Sequence, residues 1–400
     1  MNLLPHIVDL YAVPALSTAG DSLLVGVALD NGRVHWGTCA KFADAQSIVS
    51  QVQPILADRP LALFAELVAQ LDNFRVEVTV TRVIQPEQET SASAGAISRR
   101  KLISGFLAED EPLVQQVQVV EKRPLPASLR FAVSHALFQA AAAASNQSLL
   151  SLLADLYGLS AANEKIPLHV EATETNIAVV RSILPTQVAS LGYNTGSANH
   201  KTTLGANAER LQAHVRQVKT WIESAAPGAA PAIHLNIQGG FTELYENDEG
   251  KMLGALYGLE QAAKPYALIM ENIVMGEETP ARSAAEVAVA RTLRKLQSYL
   301  GVRKMCVRLA AGNDLFSTNA LTHFVERKAV HLMHLDVTRF GSIPQIMTFV
   351  QKCHEQNRQV ILKCDEESGV ETAVALALTT HAHALSGPPH LLYNEMLKTI

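Results

Sequence analysis

A (β/α)8 barrel of the TIM type, preceded by an α+β capping domain, is the fold class this 400-residue sequence predicts. Three observations predict it. The hydrophobic rhythm changes near residue 165 from grouped strands and helices to regular strand–helix alternation, which argues a parallel sheet. The alternating part, residues 166–400, is close to the ~250 residues such a barrel needs. Its predicted strands end in polar pairs two residues apart, so each pair shares one face of its strand. We therefore place a cap over 1–164 and the barrel over 165–400. A doubly wound sheet is the alternative, but no GxGxxG follows the early strands.

The first part reads as follows. "SLLVGVALDNGRVHWGTCA" (22–40) is a hairpin whose turn, Asp30-Asn31-Gly32, tolerates positive φ. Helical patterns cover 43–56 and 61–72, and "RVEVTVTRVI" (75–84) alternates as a strand. The small, polar stretch after it reads as an exposed loop. From Pro126 to Tyr157 the pattern is helical, with a break at Asn146 and Ser148.

In the second part, six strands are predicted: 166–172, 232–238, 266–273, 304–310, 331–337 and 359–365. Helices fall at 206–224, 281–299, 317–328, 343–356 and 370–381. "HLMHLDVTRFGSIPQI" (331–346) is a strand running into a glycine turn and a helix, with His334 and Asp336 on one face. Barrel chemistry sits at the C-terminal strand ends. Those ends carry His169 and Glu171, His234 and Asn236, Glu271, Arg308, His334 and Asp336, and Lys363 and Asp365. A polar strand end is as often a solvated rim group. Repeated over this many strands it points to a site, because charge inside a barrel is costly unless paired or metal-bound.

Composition narrows the partners. Apolar residues make up 48% and charged residues 18%, with a net charge of -5, so no basic stripe is available for nucleic acid. No apolar run approaches the ~20 residues of a membrane span, and MNLLPHIVDL lacks a signal peptide's basic start. Cys39, Cys306, Cys353 and Cys364 have no CxxC spacing and read as reduced core thiols in a cytoplasmic protein. There is no P-loop, HExxH or GxSxG. "ENDEG" (246–250) lacks a calcium loop's full ligand pattern and reads as a solvated turn.

In their order along the chain, several stretches resemble the enolase superfamily, and within it the methylaspartate ammonia-lyases. They are the hairpin "LLVGVALDNGRVHWGTCA", the helix pair "LRFAVSHALFQAAAAASNQSLLSLLADLY", then "IPLHVEA", "HLNIQG", "PYALIMENIVM", "HLMHLDVTRFGSIPQI" and the late "NEM". The resemblance implies a carbon–nitrogen lyase that eliminates ammonia from 3-methylaspartate to give mesaconate. It implies Mg²⁺ on three strand-end carboxylates, a lysine base and an opposing histidine. Homo-oligomers, dimeric or larger, are common in the superfamily.

Carried over position by position, most of that machinery is replaced. The metal ligands fall on Asn236, Glu271 and Gly312, with Asp314 two residues on. The lysine falls on Asp336 and the histidine of "LPH" on Thr186. Substrate-contacting glutamines fall on Glu171 and His334. The resemblance thus leaves a degraded Mg²⁺ site of Glu271, Asn236 and Asp314. It gives Glu171, Thr186 and His334 as substrate contacts, and Asp336 with His334 as the remaining acid/base groups. The family's flexible lid between the first two strands is shortened to Ala15–Ser22, and an extra stretch near 85–124 has no counterpart. The expected function is a pseudoenzyme-like protein without ammonia-lyase activity that binds a small polar or carboxylate ligand. The alternative is a metal-dependent lyase or other acid/base enzyme on a small carboxylate, the family's own elimination included.

Overall fold

The computed structural model describes residues 5–17, 20–40, 42, 44–84, 115–162, 165–172, 178, 187–196, 199–276, 282–388, 391–392 and 394–395. Thr186 and most of the extra stretch, residues 85–114, lie outside them.

The cap begins with an antiparallel sheet of β1 (His6–Ser17), β2 (Gly20–Leu29), β3 (Val34–Ala40) and the short β4 (Arg59–Pro60), in the order β3-β2-β1-β4. Gly32 takes φ +80° in the predicted β2–β3 turn, where a side chain would be strained. Within the Ala15–Ser22 link, Ala15 pairs with Ser22 and Ser17 with Gly20. Helices α1 (Ala45–Leu56) and α2 (Phe64–Asn73) follow, each burying one apolar stripe. Next comes a two-stranded ribbon of β5 (Arg75–Ile84) and β6 (Gln115–Pro124). Helices α3 (Ala127–Ala144) and α4 (Leu149–Tyr157) close the cap, with Ser148 as the N-cap of α4.

Helix α3 is apolar almost all round because it lies between the cap sheet and the barrel. Its alanines permit a close approach. A Cβ on Gly37 of β3 would fall 2.0 Å from the Ala132 carbonyl oxygen. Backbone cannot yield as a side chain tip does, so Gly37→Ala is expected to destabilise the protein by about 1–3 kcal/mol, read as a lower urea midpoint at unchanged slope.

Eight parallel strands form a closed barrel: β7 (Leu168–Glu171), β8 (Val188–Asn194), β9 (Ala232–Asn236), β10 (Leu268–Glu271), β11 (Val307–Gly312), β12 (Leu332–Asp336), β13 (Gln359–Lys363) and β14 (Ala384–Ser386). All six predicted barrel strands are present; β8 and β14 were not predicted. β14 has three residues, and β8 (VASLGYN) is rich in small residues that do not mark a strand. The predicted barrel helices are present with shifted ends, and Glu249–Ala263 is an additional one. Asp248 of "ENDEG" is its N-cap, accepting from Lys251 N at 3.0 Å.

Inside the barrel, Ile269, Ala310, Leu332, Ile361 and Ala384 form an apolar layer. Arg308 belongs below it, not at the mouth, because β11 continues to Gly312 and puts two more inward positions above Arg308. Its guanidinium meets Gln359. Cys39, Cys353 and Cys364 are buried thiols as expected, whereas Cys306 is exposed at the approach to β11. Among the described residues no helix is long and apolar enough to cross a membrane.

The cap grips the segment that follows β12. Ser134 Oγ of α3 accepts from Ile343 N at 3.1 Å, Ser342 Oγ donates to Asp72 Oδ2 at 2.6 Å, and Arg130 donates to Gln345 Oε1 at 2.6 Å. That segment begins at Asp336, so the cap fixes one wall of the barrel mouth.

Candidate functional site at the barrel mouth

Strand register decides which side chains meet. Glu271 pairs with Asn236, Gly312 with His334, Asp336 with Lys363, and Glu171 with Gly192. Alternation then turns Asn236, Glu271, His334, Asp336, Lys363 and Glu171 inward, and all six line one cleft at the C-terminal end. Glu271, Asn236, His334 and Asp336, each expected at a strand end, meet here, and the structure adds Glu171, Lys363 and Asp314 to them.

Glu271 is buried at the centre. Its Oε2 accepts from His334 Nδ1 at 2.9 Å and lies 2.6 Å from His234 Nε2. Burial opposes its charge, yet the two imidazoles, His334 foremost, outweigh that and hold the carboxyl well below the usual range. Burial likewise works against a charged His334, and the Glu271 carboxylate overcomes it and raises the imidazole above its ordinary value. His169 is held well below the ordinary imidazole range, first by burial and then by His234 and His334. It is a neutral ring fixed by Ser190 Oγ at 2.7 Å from its Nδ1.

Above this pair lies an amide network that the strand-end pattern did not reveal. Asn236 Nδ2 donates to Glu271 Oε1 at 3.1 Å and to Asp314 Oδ2 at 2.9 Å. Gln238 donates to Asp314 Oδ2 as well, and Asn272 Nδ2 donates to Asp314 Oδ1 at 2.7 Å. The amide orientations are fixed by donors that cannot reverse. Gln238 N donates to Asn236 Oδ1 at 3.3 Å, and Gly312 N donates to Asn272 Oδ1 at 2.9 Å. Asn272 and Gln238 sit just past their strands with φ of 51° and 47°, which turns their side chains back over the mouth. A Cβ on Gly312 would lie 2.7 Å from both Asp314 Oδ1 and Glu271 Oε1, so the Asp314 carboxylate fills the space of a side chain at 312.

Asp336 is engaged by its own chain. Its Oδ1 accepts from Thr338 N at 3.0 Å and from Thr338 Oγ1 at 2.6 Å, and its Oδ2 lies 3.3 Å from Arg339 Nε. It is the N-cap of the short helix Val337–Phe340. Lys363 stands 3.0 Å from Asp365 and 3.6 Å from Glu171. Burial lowers its pKa, and Glu171 and Asp365 outweigh that and raise it, so it stays a cation.

Residues 160–400 match the family profile described as the methylaspartate ammonia-lyase C-terminus. Methylaspartate ammonia-lyase 2 of Carboxydothermus hydrogenoformans is 23% identical over 400 residues, covering 95% of this chain and 86% of that one. The Haloarcula marismortui enzyme is 22% identical over 385 residues, with coverages of 94% and 82%. The Citrobacter amalonaticus methylaspartate ammonia lyase structure containing (2S,3S)-3-methylaspartic acid has a TM-score of 0.72 at 19% identity, covering 95% of this chain and 87% of that one. The Mg-complex of Clostridium tetanomorphum β-methylaspartase scores 0.70 at 16% identity and covers 98% of each chain. The structures establish a common fold, and the profile spans more than half of the sequence: the chain belongs to the methylaspartate ammonia-lyase family.

Proposed function

We propose that this protein binds a small polar ligand bearing a carboxylate at the barrel mouth and does not eliminate ammonia from 3-methylaspartate. One observation carries the reading: the amide of Asn236 stands between Glu271 and Asp314, donating to both. Mg²⁺ needs anionic oxygens in near-octahedral array. Here neutral N–H groups occupy the place between the carboxylates, and Asp314 already accepts from three amides. The residues do not fit Mg²⁺ at the family's position, so no step is assigned to it. Lys363 supplies the fixed cation for a ligand carboxylate, with Arg339 on the rim. Calorimetric titration with small dicarboxylic acids, 3-methylaspartate among them, is expected to show saturable binding that Lys363→Ala weakens about tenfold, the usual worth of a charge-assisted hydrogen bond. No saturable heat from any acid in the panel would overturn the reading.

A second reading, an acid/base enzyme of different chemistry, is favoured by the buried His334–Glu271 pair beside Lys363. A histidine raised by a carboxylate is suited to give and take protons near neutral pH. Exchange of a bound acid's C–H protons with D2O, lost in His334→Gln, separates it from simple binding.

A further inference from the structure

We propose that His234, His334 and Glu271 form a binding site for one imidazole-preferring divalent metal ion, Zn²⁺ or its spectroscopic substitute Co²⁺, with the two histidines on the inward positions below Asn236 and Asp336 and with Glu271 shared with the mouth. His234 lies two residues before Asn236 on β9, and His334 lies two before Asp336 on β12. Both are therefore inward-facing. One ligand atom from each of the three residues falls within 4.8 Å of the others. His234 Nε2 is 2.6 Å and His334 Nδ1 is 2.9 Å from the same oxygen of Glu271. Ligand atoms around a tetrahedral Zn²⁺, bonded at about 2.0–2.2 Å, stand roughly 3.3 Å apart. The two sides that meet at Glu271 would therefore open by less than about 1 Å to admit an ion.

The second observation is the state of the ring nitrogens. All three residues are buried; His234 Nδ1 and His334 Nε2 have no hydrogen-bond partner, while His234 Nε2 and His334 Nδ1 crowd one oxygen of Glu271. A neutral imidazole has one N–H and one lone pair. One nitrogen of each ring therefore already converges with the other on a single anionic oxygen. A divalent ion takes the lone pairs of both imidazoles and the carboxylate charge together. His169 makes the arrangement rigid: its ring packs edge-on at 4.7 Å from His234 and 5.1 Å from His334, and Ser190 holds it in place. Gly192 leaves the room, since a Cβ there would lie 2.6 Å from the His169 ring.

Two imidazoles and one carboxylate select Zn²⁺ or a neighbouring transition ion over Mg²⁺. Three protein ligands leave a position for water. The outer nitrogens lack the acceptors that usually orient metal-bound histidines, which are worth about 10–100-fold in affinity. The ion is thus held more weakly than in a closed structural zinc site.

The site shares Glu271 and His334 with the ligand cleft, and metal binding is read without any carboxylate ligand present. Chelator-treated full-chain protein is titrated with Co²⁺, followed by visible absorption, with Zn²⁺ and millimolar Mg²⁺ as competitors. One equivalent with the intense bands of four- or five-coordinate Co²⁺ is expected, displaced by Zn²⁺ and not by Mg²⁺. His234→Gln and His334→Gln should each weaken it at least tenfold. No stoichiometric binding, binding unchanged in both variants, or ready displacement by Mg²⁺ would each overturn the proposal. If a variant fails to fold, anomalous difference density in Zn²⁺-soaked wild-type crystals decides instead. A peak between His234, His334 and Glu271 supports the site; a peak elsewhere only, or none, refutes it.

Discussion

Supplied with 3-methylaspartate, Mg²⁺ and K⁺, the purified protein is expected to form no mesaconate above background, followed by ultraviolet absorbance. Several losses act together. The resemblance carries the family's lysine onto Asp336, which is bonded to Thr338 and Arg339 and would bring negative charge towards a substrate carboxylate. The two metal positions flanking Glu271 are an amide, Asn236, and Gly312, and a side chain at 312 would collide with Asp314 and Glu271. By sequence, the resemblance carries the opposing histidine onto Thr186, which would leave that proton-transfer group out. General acid–base groups contribute ~10²–10⁴-fold each. Two such losses do not multiply when the groups act as a unit, but either alone lowers turnover by orders of magnitude. Robust mesaconate formation that disappears in Glu271→Gln would show that the family chemistry runs through a different set of residues.

The barrel was legible because its strong strands obey simple rules: apolar runs of four to six residues, helices between them and polar residues at their ends. It failed where tertiary contacts dictate small residues. β8 carries Ser190 and Gly192 because the His169 ring lies against them, and small residues erase the strand signal. Register also had to be seen. Arg308 looked like a strand-end residue until β11 proved to run four residues further. At the site, i,i+2 pairs located Asn236, His334 and Asp336, since strand geometry alone turns them inward. The roles of Asn272 and Gln238 were not legible. They lie on post-strand turns whose left-handed backbone, absent from any periodicity, folds their amides back over Asp314. His169 and His234 stood in plain view as strand residues, but their convergence with Glu271 depends on the closure of the barrel.

Replacing Glu271 by Gln is expected to destabilise the metal-free protein by about 3 kcal/mol, the low end of the cost of breaking a buried ion pair. The glutamine keeps the shape and an acceptor for His334 but removes the charge on which His334 and His234 converge. The pH dependence identifies the cause. Glu271 is depressed in the folded state, so its contribution is present above the ordinary carboxylate value of 4.5 and is lost as pH falls through the folded value. His334 is raised, so its contribution is complete below the ordinary imidazole value of 6.5 and is lost as pH rises through the folded value. Both hold together between those two ordinary values, and there the gap between wild type and variant should be widest. Above the folded value of His334 the gap narrows because the imidazole is neutral in both proteins. Urea unfolding with chelator present, at a series of pH values across this range, measures it. A gap that stays constant with pH would mean that Glu271 acts through packing alone, and that His334 carries no proton on its account.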